Sequence, residues 1–320
     1  MRVLITGGAG YIGSSVAWMF IDRGHEVTII DNLKTGKKRN IPVKSKFINC
    51  DISNLNRLKK SLKENYDVVL HFAALINNQE SIKKKKEYLN NNYNKSKIFL
   101  KFCNEKGIKN FIFSSSAAVY GSSNKSVHEN SKTKPLAPYG KSKLKFEKYL
   151  KKFKSEINYV ILRYFNVVGV EKKMRCGFEI KKNKSLFNNL CSSALNKKDF
   201  KIFGNDFNTK DGSAVRDFIY ISDLSEVHYS FAKILTKKSI KSVFNCGYGK
   251  GYSVKNIIFK FNHYLNKKIR VVYKKRRKND IGYSVADNKK LKKYHDFKNI
   301  KSKLSLMINS SYRWYKKINT

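Results

Sequence analysis

Apolar and polar positions alternate along the first half of the chain in blocks that predict strands and helices in turn. Short apolar runs such as Val3-Leu4-Ile5 and Val27-Thr28-Ile29-Ile30 fit buried strands, and longer segments with helical periodicity lie between them. The predicted strands are 2–6, 26–30, 46–49, 67–71, 110–114 and 158–162, and the predicted helices are 12–22, 54–64, 81–105 and 139–153. This alternation predicts an α/β fold with a doubly wound parallel sheet and right-handed crossovers.

The regularity fades after Asn166, which predicts a smaller C-terminal α/β lobe. Residues 167–183 are polar and irregular. Helices near 184–197, 222–236, 253–265 and 299–317 and strands near 200–203, 215–220, 243–246 and 269–273 are predicted to follow. The 320 residues contain only 3 prolines and no Ser/Gly-rich linker, so we expect two lobes that share a core.

The first strand runs directly into a glycine turn, Thr6-Gly7-Gly8-Ala9-Gly10-Tyr11-Ile12-Gly13. Gly7 permits the turn, Gly10 lets a pyrophosphate approach the backbone, and Gly13 lets the next helix lie close to the sheet. The N-terminus of that helix presents N–H groups to phosphates. Three glycines alone are also compatible with an ordinary tight turn, so the prediction of a nucleotide site depends on the residues that follow.

Asp31 closes the second strand, 18 residues beyond Gly13, where the ribose of a bound dinucleotide is expected. A carboxylate there accepts hydrogen bonds from the ribose hydroxyls and repels a 2′-phosphate, which favours NAD over NADP. The alternative is that Asp31 only caps the following loop. Asp51 and Ile52 follow the third strand and are predicted to contact the adenine edge, although Asp51 fits a helix N-cap equally well.

A second constellation lies at the end of the fifth strand, where Ser114-Ser115-Ser116 precedes the helix that begins with Tyr139-Gly140-Lys141-Ser142-Lys143. Tyr139 and Lys143 are four residues apart and share a helical face. A tyrosine with a pKa of about 10 is a poor base at neutral pH. A lysine cation one turn away, together with a positive nicotinamide, stabilises the phenolate, and Ser116 can hydrogen-bond a substrate hydroxyl.

The chain carries a large positive charge, with 68 basic and 23 acidic residues and a net charge of +45. The excess is mostly lysine in short runs spread from Lys34 to Lys317. Sequence-specific base recognition needs Arg, Asn and Gln on one element, and single-strand binding needs aromatic residues along a groove. Neither arrangement is evident, so we expect no specific nucleic-acid partner. The field should still attract anionic substrates in a salt-sensitive way.

Other features of composition bound the location and the chemistry. No stretch reaches the 18 or more uncharged apolar residues of a membrane span, and the chain opens with a strand rather than a signal peptide, so we expect a cytoplasmic protein without membrane insertion. Five separated cysteines, with no C-x-x-C and no nearby histidine, are expected to be reduced and to form no metal site. They are Cys50, Cys103, Cys176, Cys191 and Cys246.

These motifs together resemble the extended short-chain dehydrogenase/reductase family, and within it the UDP-galactose (UDP-glucose) 4-epimerases. The resemblance extends from residue 2 to about residue 290. In the first half it rests on Thr6 to Gly13, Asp31-Asn32-Leu33, His71-Phe72-Ala73-Ala74, Asn91-Asn92, Ser114 to Gly121, Tyr139 to Lys143 and Leu162-Arg163-Tyr164-Phe165-Asn166. In the second half it rests on Ile202 to Asp206, Thr209, Asp211-Gly212, Arg216 to Tyr220, Asp223-Leu224 and Asn245 to Val254.

The resemblance implies a Rossmann-like NAD-binding domain at 1–166, with some later segments returning to it, and mainly a substrate-binding lobe at 167–320. It implies that NAD is held by Gly7, Gly10, Tyr11, Ile12, Gly13, Asp31, Asn32, Asp51, Ile52, Phe72, Ala73, Ala74, Asn91, Ser114, Tyr139, Lys143 and Tyr164. It implies catalysis by Ser116, Tyr139 and Lys143, and contacts to a UDP-sugar by Ser116, Asn166, Arg216, Arg277, Asp280 and Ser284. We also expect a homodimer.

The implied reaction is a 4-epimerisation without net redox change. Tyr139 removes the proton of the sugar 4-hydroxyl while a hydride moves from C4 to the nicotinamide, and Ser116 bridges the oxygen. The 4-keto sugar then turns about its link to the diphosphate and receives the hydride on its other face. The implied role is in carbohydrate metabolism, including polysaccharide biosynthesis.

The sequence departs from the family pattern at three places. Asn279 stands where the family has glycine, which puts the loop geometry in doubt, and Ile76 stands where many members carry a lysine near the nicotinamide ribose. The family's Asn-Asn-Leu segment fits either Asn188-Asn189-Leu190 by its letters or Asn183-Lys184-Ser185 by its spacing. Arg277 lies in a run of five cations, so its phosphate contact competes with a purely solvated role.

Two alternatives to an epimerase remain open at this stage. Sugar-nucleotide 4,6-dehydratases and decarboxylases share the first oxidation, but a dehydratase needs an acidic pair beside the serine or threonine, where this chain has Ala117 and Ala118. A non-catalytic NAD-binding regulator or nucleic-acid-binding protein would not need Ser116, Tyr139 and Lys143 together. Within the epimerases, Ser284 is predicted to leave room for an N-acetyl group at the sugar 2-position, unless a shifted loop puts Tyr283 there.

Overall fold

The structure of the protein is a computed structural model that describes residues 1–154, 156–179, 185–297 and 300–319. The strands are β1 Arg2–Thr6, β2 Glu26–Asp31, β3 Lys46–Asn49, β4 Val68–His71, β5 Asn110–Ser116, β6 Asn158–Tyr164, β7 Asn166–Val168, β8 Phe200–Phe203, β9 Val215–Tyr220, β10 Lys241–Cys246, β11 Gly251–Ser253, β12 Val271–Lys274 and β13 Tyr283–Ser284. The helices are α1 Tyr11–Asp22, α2 Leu55–Ser61, α3 Asn78–Lys83, α4 Lys85–Leu89, α5 Lys95–Glu105, α6 Pro138–Lys152, α7 Leu186–Asn196, α8 Ile221–Leu235, α9 Val254–Leu265, α10 Lys289–Lys292 and α11 Ile300–Asn319.

A seven-stranded sheet with the strand order β10-β6-β5-β4-β1-β2-β3 dominates the first half of the chain. Its pairs from β3 to β6 are parallel, and Val3 of β1 lies between Val27 of β2 and Val68 of β4. The strand order reverses beside β1, since β2 and β4 lie on opposite sides of it. This is the switch point at which open parallel sheets bind ligands. The predicted doubly wound, Rossmann-like α/β fold is confirmed.

The sheet is buried on both faces because its strands are almost entirely apolar. Leu4, Val69 and Phe111 from three neighbouring strands share one core cluster with Phe99 of α5 and Phe146 of α6. Parallel sheets require this double cover, which explains the continuous apolar runs in the sequence.

The chain divides into two compact units. The first contains residues 1–121, 132–164 and 225–244, and the second contains residues 122–131, 165–224 and 245–320. In the second unit, β9 is the centre of a small sheet in which it pairs with β7 and β13 in parallel and with β11 antiparallel. A separate parallel pair joins β8 and β12.

The predicted helix 81–105 is divided into three. It begins at Asn78, breaks at Lys84 and contains a π turn at Asn90–Asn94. The side chain of Asn92 in that turn binds the backbone of Leu75 in both directions, at 2.8 and 2.9 Å. A run of asparagines disfavours regular helix, and π turns often mark places where a side chain does specific work.

Periodicity also missed the four-residue helix α10 and three short strands. β7 begins at Asn166 and runs into the segment 167–183 that was predicted to be irregular, and β11 and β13 have only three and two residues. Such strands are too short to show alternation. The predicted helices near 184–197 and 299–317 appear as Leu186–Asn196 and Ile300–Asn319. Residues 184 and 299 lie outside the described residues.

Candidate active site

The glycine turn between β1 and α1 leaves no room for side chains. Gly7 has a φ of 72°, and a Cβ on it would lie 2.7 Å from the backbone nitrogen of Ala73. A Cβ on Gly13 would lie 2.3 Å from the carbonyl oxygen of Gly7. Gly10 has only that carbonyl, at 3.2 Å, within 4 Å of its Cβ position. The turn is therefore held tightly at Gly7 and Gly13, and Gly10 leaves open backbone where a ligand can approach.

Helix α1 fits the pyrophosphate of NAD at its N-terminus. Its N-cap is Gly10, no side chain caps it, and its first turn contains no acidic residue. A helix of this length has a partial positive charge at its first turn, where Tyr11, Ile12 and Gly13 lie. The residues present therefore fit the anionic part of the cofactor.

Asp31 lies beside this turn at the end of β2. Its carboxylate accepts hydrogen bonds from the backbone N–H of Ala9 at 3.0 Å and of Leu33 at 2.8 Å. Burial raises the pKa of Asp31, and these two bonds oppose the rise. Each oxygen has only one of these partners, so acceptor capacity remains for ribose hydroxyls. The contact with Leu33 means that Asp31 also supports the following loop.

Asp51 and Asn32 meet at the ends of β3 and β2. One oxygen of Asp51 accepts from Asn32 Nδ2 at 3.1 Å and from Lys95 Nζ at 2.6 Å. The other accepts from the N–H and hydroxyl of Ser53 at 3.0 and 2.7 Å. Burial raises the pKa of Asp51, and these donors lower it. The donors prevail, so the pKa of Asp51 is lowered from its ordinary value.

Asp51 is not the N-cap of α2, because Asn54 caps that helix through Arg57 N at 3.1 Å. Four donors fill the carboxylate of Asp51. An adenine amino group could bind Asp51 only by displacing one of them. The neighbouring Ile52 is buried.

The segment after β4 lies against the glycine turn. Phe72 N donates to Thr6 O at 3.0 Å, and Ala73 N donates to the Thr6 hydroxyl at 3.3 Å. His71 is fully buried between Thr6 and Ser96, and burial lowers its pKa to about 3, so it is neutral. Phe72, Ala73 and Ala74 are half-buried.

The pair Asn91-Asn92 divides into two roles. Asn92 is buried and binds Leu75, as described above, and Ser142 of α6 at 3.1 Å. Asn91 is half-buried and donates to Asn92 Oδ1 at 3.1 Å. Asn92 therefore holds the π turn against α6, and Asn91 keeps a more open position for a ligand.

The catalytic candidates come together where β5 ends and α6 begins. The hydroxyl groups of Tyr139 and Ser116 are hydrogen-bonded. Ser116 Oγ also accepts from Ala118 N at 3.2 Å, which closes the short 3-10 turn Ala117–Val119. Burial raises the pKa of Tyr139, and the bond with Ser116 opposes the rise.

Lys143 lies one turn beyond Tyr139 and is buried. Its Nζ donates to the carbonyl oxygen of Ser114 at 2.6 Å and lies 4.9 Å from the centre of the Phe113 ring. Burial lowers the pKa of Lys143 to about 7, with the negative charge of Glu147 acting in the opposite direction. The structure therefore brings Ser114, Ser116, Tyr139 and Lys143 into one group.

Tyr164 is at the end of β6, where it pairs in register with Ser116. Its hydroxyl is hydrogen-bonded to His228 Nε2 at 2.7 Å, and both residues are buried. The ring of His228 also lies 4.9 Å from the ring of Phe72. His228 thus contacts both Tyr164 and Phe72, two residues that are predicted to contact the cofactor.

The substrate candidates lie in the second unit, around β9. Arg216 is on β9 and forms an ion pair with Asp280 at 3.0 Å, and it also donates to Val215 O at 2.9 Å. Asn166 of β7 donates to Asp217 O at 3.0 Å. The structure therefore brings Arg216 and Asp280 together and places Asn166 on the neighbouring strand.

The loop that carries Arg277 tolerates the missing glycine. Asn279 has a φ of 61°, a left-handed conformation that asparagine adopts more readily than most residues. Asp280 N donates to Arg277 O at 3.2 Å, which closes the turn. The guanidinium carbon of Arg277 lies 3.8 Å from the centre of the Phe203 ring, so stacking orients this side chain. Asn279 thus preserves the turn.

Ser284 pairs in register with Arg216, whereas Tyr283 pairs with Val215. Side chains of residues paired across neighbouring strands point to the same face, and successive residues alternate. Ser284 therefore shares a face with Arg216, and Tyr283 points to the opposite face. A shift that would exchange the two residues is not present in this structure.

Sequence reasoning assigned no role to Asp217, Glu147 or Arg163. The buried carboxylate of Asp217 accepts from the backbone N–H of Tyr248 and Gly249 at 2.9 Å and of Ala286 at 3.2 Å. Glu147 lies four residues beyond Lys143 on α6 and forms a buried ion pair with Arg163. The only signal in the sequence for Glu147 was its position four residues beyond Lys143 and eight beyond Tyr139, on the same face of the helix.

The structure describes Ile76 and part of the Asn-Asn-Leu segment, two of the places where the sequence departs from the family pattern. Ile76 follows β4 and is 70% exposed. Asn188, from one of the two possible registers, is buried on α7, and Ser185 from the other is the N-cap of that helix. Asn183 and Lys184 lie outside the described residues.

Comparison with known proteins agrees with this geometry over nearly the whole chain. A model of the NAD dependent epimerase/dehydratase family matches residues 3–247. The chain belongs to this family. A UDP-glucose 4-epimerase of Azospirillum brasilense is 33% identical over 318 residues, which cover 98% of this chain and 91% of that protein.

Solved structures of the family have the same fold. A UDP-glucose 4-epimerase from Stenotrophomonas maltophila, with bound NAD and formylated UDP-arabinopyranose, superposes with a TM-score of 0.91 at 29% identity and covers 100% of this chain and 99% of that chain. The UDP-Glc/GlcNAc 4-epimerase of Campylobacter jejuni gives a TM-score of 0.84 at 33% identity, with 99% of both chains covered.

The predicted family, enzyme class and NAD cofactor are confirmed by these comparisons. None of the helices among the described residues combines the length and hydropathy needed to cross a bilayer. All five cysteines are buried, and none of them forms a disulfide among the described residues. Among the described residues, no group of three His, Cys, Asp or Glu side chains is placed to hold a metal ion.

Proposed function

We propose that the protein interconverts the 4-epimers of a UDP-hexose with NAD as a permanently bound cofactor. The observation that carries this proposal is the group of Ser116, Tyr139 and Lys143, in which Tyr139 and Lys143 are buried, in the same compact unit as a glycine turn with room for a dinucleotide. Full-length similarity to UDP-glucose 4-epimerases supports the choice of substrate class and reaction.

Tyr139 acts as the general base at the sugar 4-hydroxyl and later returns the proton. Burial alone raises the pKa of this phenol, so a positive charge is needed to activate it. Lys143 supplies that charge from the same face of α6, and Ser116 hydrogen-bonds the oxygen as its proton leaves. NAD bound at the glycine turn would supply the hydride acceptor and donor for C4 of the sugar.

The residues after Ser116 favour an epimerase over a dehydratase. A dehydratase must move a proton at C5 and expel water at C6, which requires acid/base groups beside the serine. Ala117 and Ala118 follow here and form the 3-10 turn that Ser116 caps. Methyl groups cannot transfer protons, so the oxidised sugar can only turn and be reduced again.

The second unit supplies the proposed contacts to the UDP-sugar. Asn166 binds the sugar nucleotide, and Arg216 and Arg277 bind the diphosphate, because planar guanidinium groups suit pairs of phosphate oxygens. Asp280 orients Arg216 through their ion pair. Ser284 lies on the same face of the sheet as Arg216, which supports a position beside the sugar for its small side chain. In this proposal the small side chain leaves room for an N-acetyl group.

We extend the proposal to both substrate pairs, UDP-Glc/UDP-Gal and UDP-GlcNAc/UDP-GalNAc. The related enzyme from C. jejuni is described as a UDP-Glc/GlcNAc 4-epimerase. We also propose that residues 1–166, with later segments, bind NAD and that residues 167–320 mainly bind substrate. We propose further that the protein is a homodimer in the cytoplasm. There it supplies sugar nucleotides for carbohydrate metabolism and polysaccharide biosynthesis. Sedimentation of the purified protein and imaging of a tagged chain test the oligomeric state and the location.

The experiment that tests the chemistry is the variant Tyr139→Phe, with Tyr149→Phe as its matched control on the same helix. Loss of a general base should lower turnover by about 10²- to 10⁴-fold. The fold and NAD content should be unchanged, because a single oxygen is removed. Tyr149 lies ten residues beyond Tyr139 and six beyond Lys143 on α6, outside their face of the helix, so its variant should keep wild-type turnover. If Tyr139→Phe keeps more than half of the rate, Tyr139 is not the base.

A further inference from the structure

An ion pair that the proposed reaction does not use is buried behind the catalytic group. The side chains of Arg163 on β6 and Glu147 on α6 are only 3% and 1% exposed. Arg163 holds Glu147 with two hydrogen bonds, from Nε at 3.0 Å and from Nη2 at 2.6 Å. Buried ion pairs are costly to desolvate and are often replaceable by apolar residues without loss of stability. Stability is therefore a weak explanation for this pair.

The contacts of the pair converge on the chain segments that carry the catalytic residues. Glu147 accepts a short hydrogen bond from the hydroxyl of Ser115, which lies between Ser114 and Ser116 on β5. Arg163 pairs in register with Ser115 and also donates from Nη1 to the hydroxyl of Tyr120 at 2.9 Å. Tyr120 follows the 3-10 turn that begins after Ser116. The pair thus fixes the end of β5 on both sides of Ser116.

The pair also lies on the catalytic face of α6. Tyr139, Lys143 and Glu147 are separated by four residues each and follow one another along that face. Lys143 is buried against the Ser114 carbonyl, where an ammonium group has few partners. Glu147 is a neighbouring negative charge on this helix.

We propose that Glu147 is a positioning residue for the epimerisation, which fixes the end of β5 through Ser115 and Arg163 and places a negative charge one helical turn from Lys143. This inference depends on the proposed function for its effect on catalysis, but its effect on Lys143 can be measured without substrate.

The charges around Lys143 agree with this role. On α6 it faces Tyr139 and Glu147, and from β4 the buried His71 interacts with it but is neutral. Burial lowers the pKa of Lys143 to about 7, and Glu147 is the group that raises it. Arg163 binds both Glu147 and the hydroxyl of Tyr120. Without the carboxylate, Lys143 would lose its proton at a lower pH.

The test uses a variant that removes both charges of the pair, Glu147→Gln with Arg163→Met. The single change Glu147→Gln would leave Arg163 buried without a countercharge and could prevent folding, whereas the double change leaves no unpaired ion. The matched control is Asp223→Asn with Lys303→Met, which removes a different and less deeply buried ion pair in the second unit, with N and O atoms 2.9 Å apart.

In the double variant we expect kcat to fall by at least ~10-fold, because one catalytic charge and the β5 end are both disturbed. Activity that needs cationic Lys143 declines as pH rises through its pKa. The basic limb of the pH–rate profile should therefore move to lower pH, because the carboxylate that raises the pKa of Lys143 is removed. The control pair should leave that limb in place. An unshifted limb together with wild-type kcat in the double variant would overturn the proposal.

A second readout needs no activity. A buried lysine with a lowered pKa binds fewer protons in the folded than in the unfolded chain, so its contribution makes the free energy of unfolding rise with pH above its folded pKa. The contribution of Lys143 is the difference in the free energy of unfolding between chains with Lys143 and chains with Lys143→Met. We expect this difference to begin its rise at a lower pH when Glu147 and Arg163 are replaced. The same onset in both backgrounds would refute the electrostatic role, even if the protein proved not to be an epimerase.

Discussion

At the residue scale, we expect Asp31 to set the preference for NAD over NADP. Its carboxylate is held by the backbone of Ala9 and Leu33, with acceptor capacity left for the ribose. We expect Asp31→Ala to weaken NAD binding and to narrow the gap between NAD and NADP, because the variant loses both the ribose contact and the repulsion of a 2′-phosphate. Titration with both cofactors measures this change.

The same variant should also be less stable, since two backbone N–H groups lose their acceptor. A thermal melt beside the titration separates the two effects. If the melting temperature falls while the NAD/NADP preference stays the same, Asp31 only supports the loop and the cofactor assignment is wrong.

We expect Ser284 to set a second preference, between N-acetylated and plain UDP-hexoses. We expect Ser284→Tyr to remove activity on N-acetylated UDP-sugars and to spare UDP-Glc and UDP-Gal, because the added ring would fill the space proposed for the acetamido group. Overpacking costs about 1–3 kcal/mol, which corresponds to a change in preference of roughly 5- to 150-fold. Ratios of kcat/KM on the two substrate pairs test this.

Tyr283→Phe is the matched control for that experiment, because Tyr283 points to the opposite face of the strand. It should leave the substrate ratio unchanged. Equal losses on both substrate pairs in Ser284→Tyr would show that Ser284 does not face the sugar 2-position.

At the scale of elements, the β1–α1 turn was predictable because its requirements are local. Gly7 needs a positive φ, and Gly13 has no room for a side chain, and both demands appear as letters in the sequence. The π turn in the predicted helix 81–105 was not predictable, because it depends on the contact between Asn92 and the distant Leu75. The buried Glu147–Arg163 pair likewise joins residues on different elements.

Two variants of the glycine turn should separate folding from cofactor binding. A Cβ at position 13 would lie 2.3 Å from the Gly7 carbonyl, so Gly13→Ala should lower both the melting temperature and NAD affinity. At position 10 the nearest atom is 3.2 Å away, so Gly10→Ala should mainly weaken NAD binding, since the methyl group would stand where the pyrophosphate approaches. Equal effects of both variants on stability and affinity would contradict this assignment.

Asp217 anchors the elements of the second unit. Burial raises its pKa to about 7. The folded chain therefore holds a proton that the unfolded chain has lost between about pH 4 and pH 7, and this group makes the free energy of unfolding decrease with rising pH over that range. We expect Asp217→Asn to remove this slope and to lower stability by about 1–3 kcal/mol, because the amide cannot accept from all three backbone N–H groups. An unchanged slope in the variant would show that Asp217 is ionised throughout.

At the scale of the whole molecule, the net charge of +45 should act on the anionic substrate. We expect KM for a UDP-sugar to rise with ionic strength between about 50 and about 500 mM salt, while kcat changes little, because screening weakens long-range attraction. A constant KM over this range would mean that the charge is of no consequence for binding.

The sequence could not show which segments of the chain belong to which of the two compact units. The sequence predicted a division near residue 166 with unspecified returns, whereas residues 122–131 belong to the second unit and 225–244 to the first. Residue 127 joins the second unit through backbone contacts with Val285 and the side chain of Asn245. Such pairings depend on residues more than 100 positions apart, which no local pattern reveals.

The most direct test of the central claim is an assay of the purified protein on UDP-Glc, UDP-Gal, UDP-GlcNAc and UDP-GalNAc without added cofactor, with NAD measured after denaturation. The account predicts bound NAD and interconversion of 4-epimers by the wild type, with bound NAD but strongly reduced turnover in Tyr139→Phe. A folded protein that converts none of these sugars, even when NAD is supplied, would contradict it.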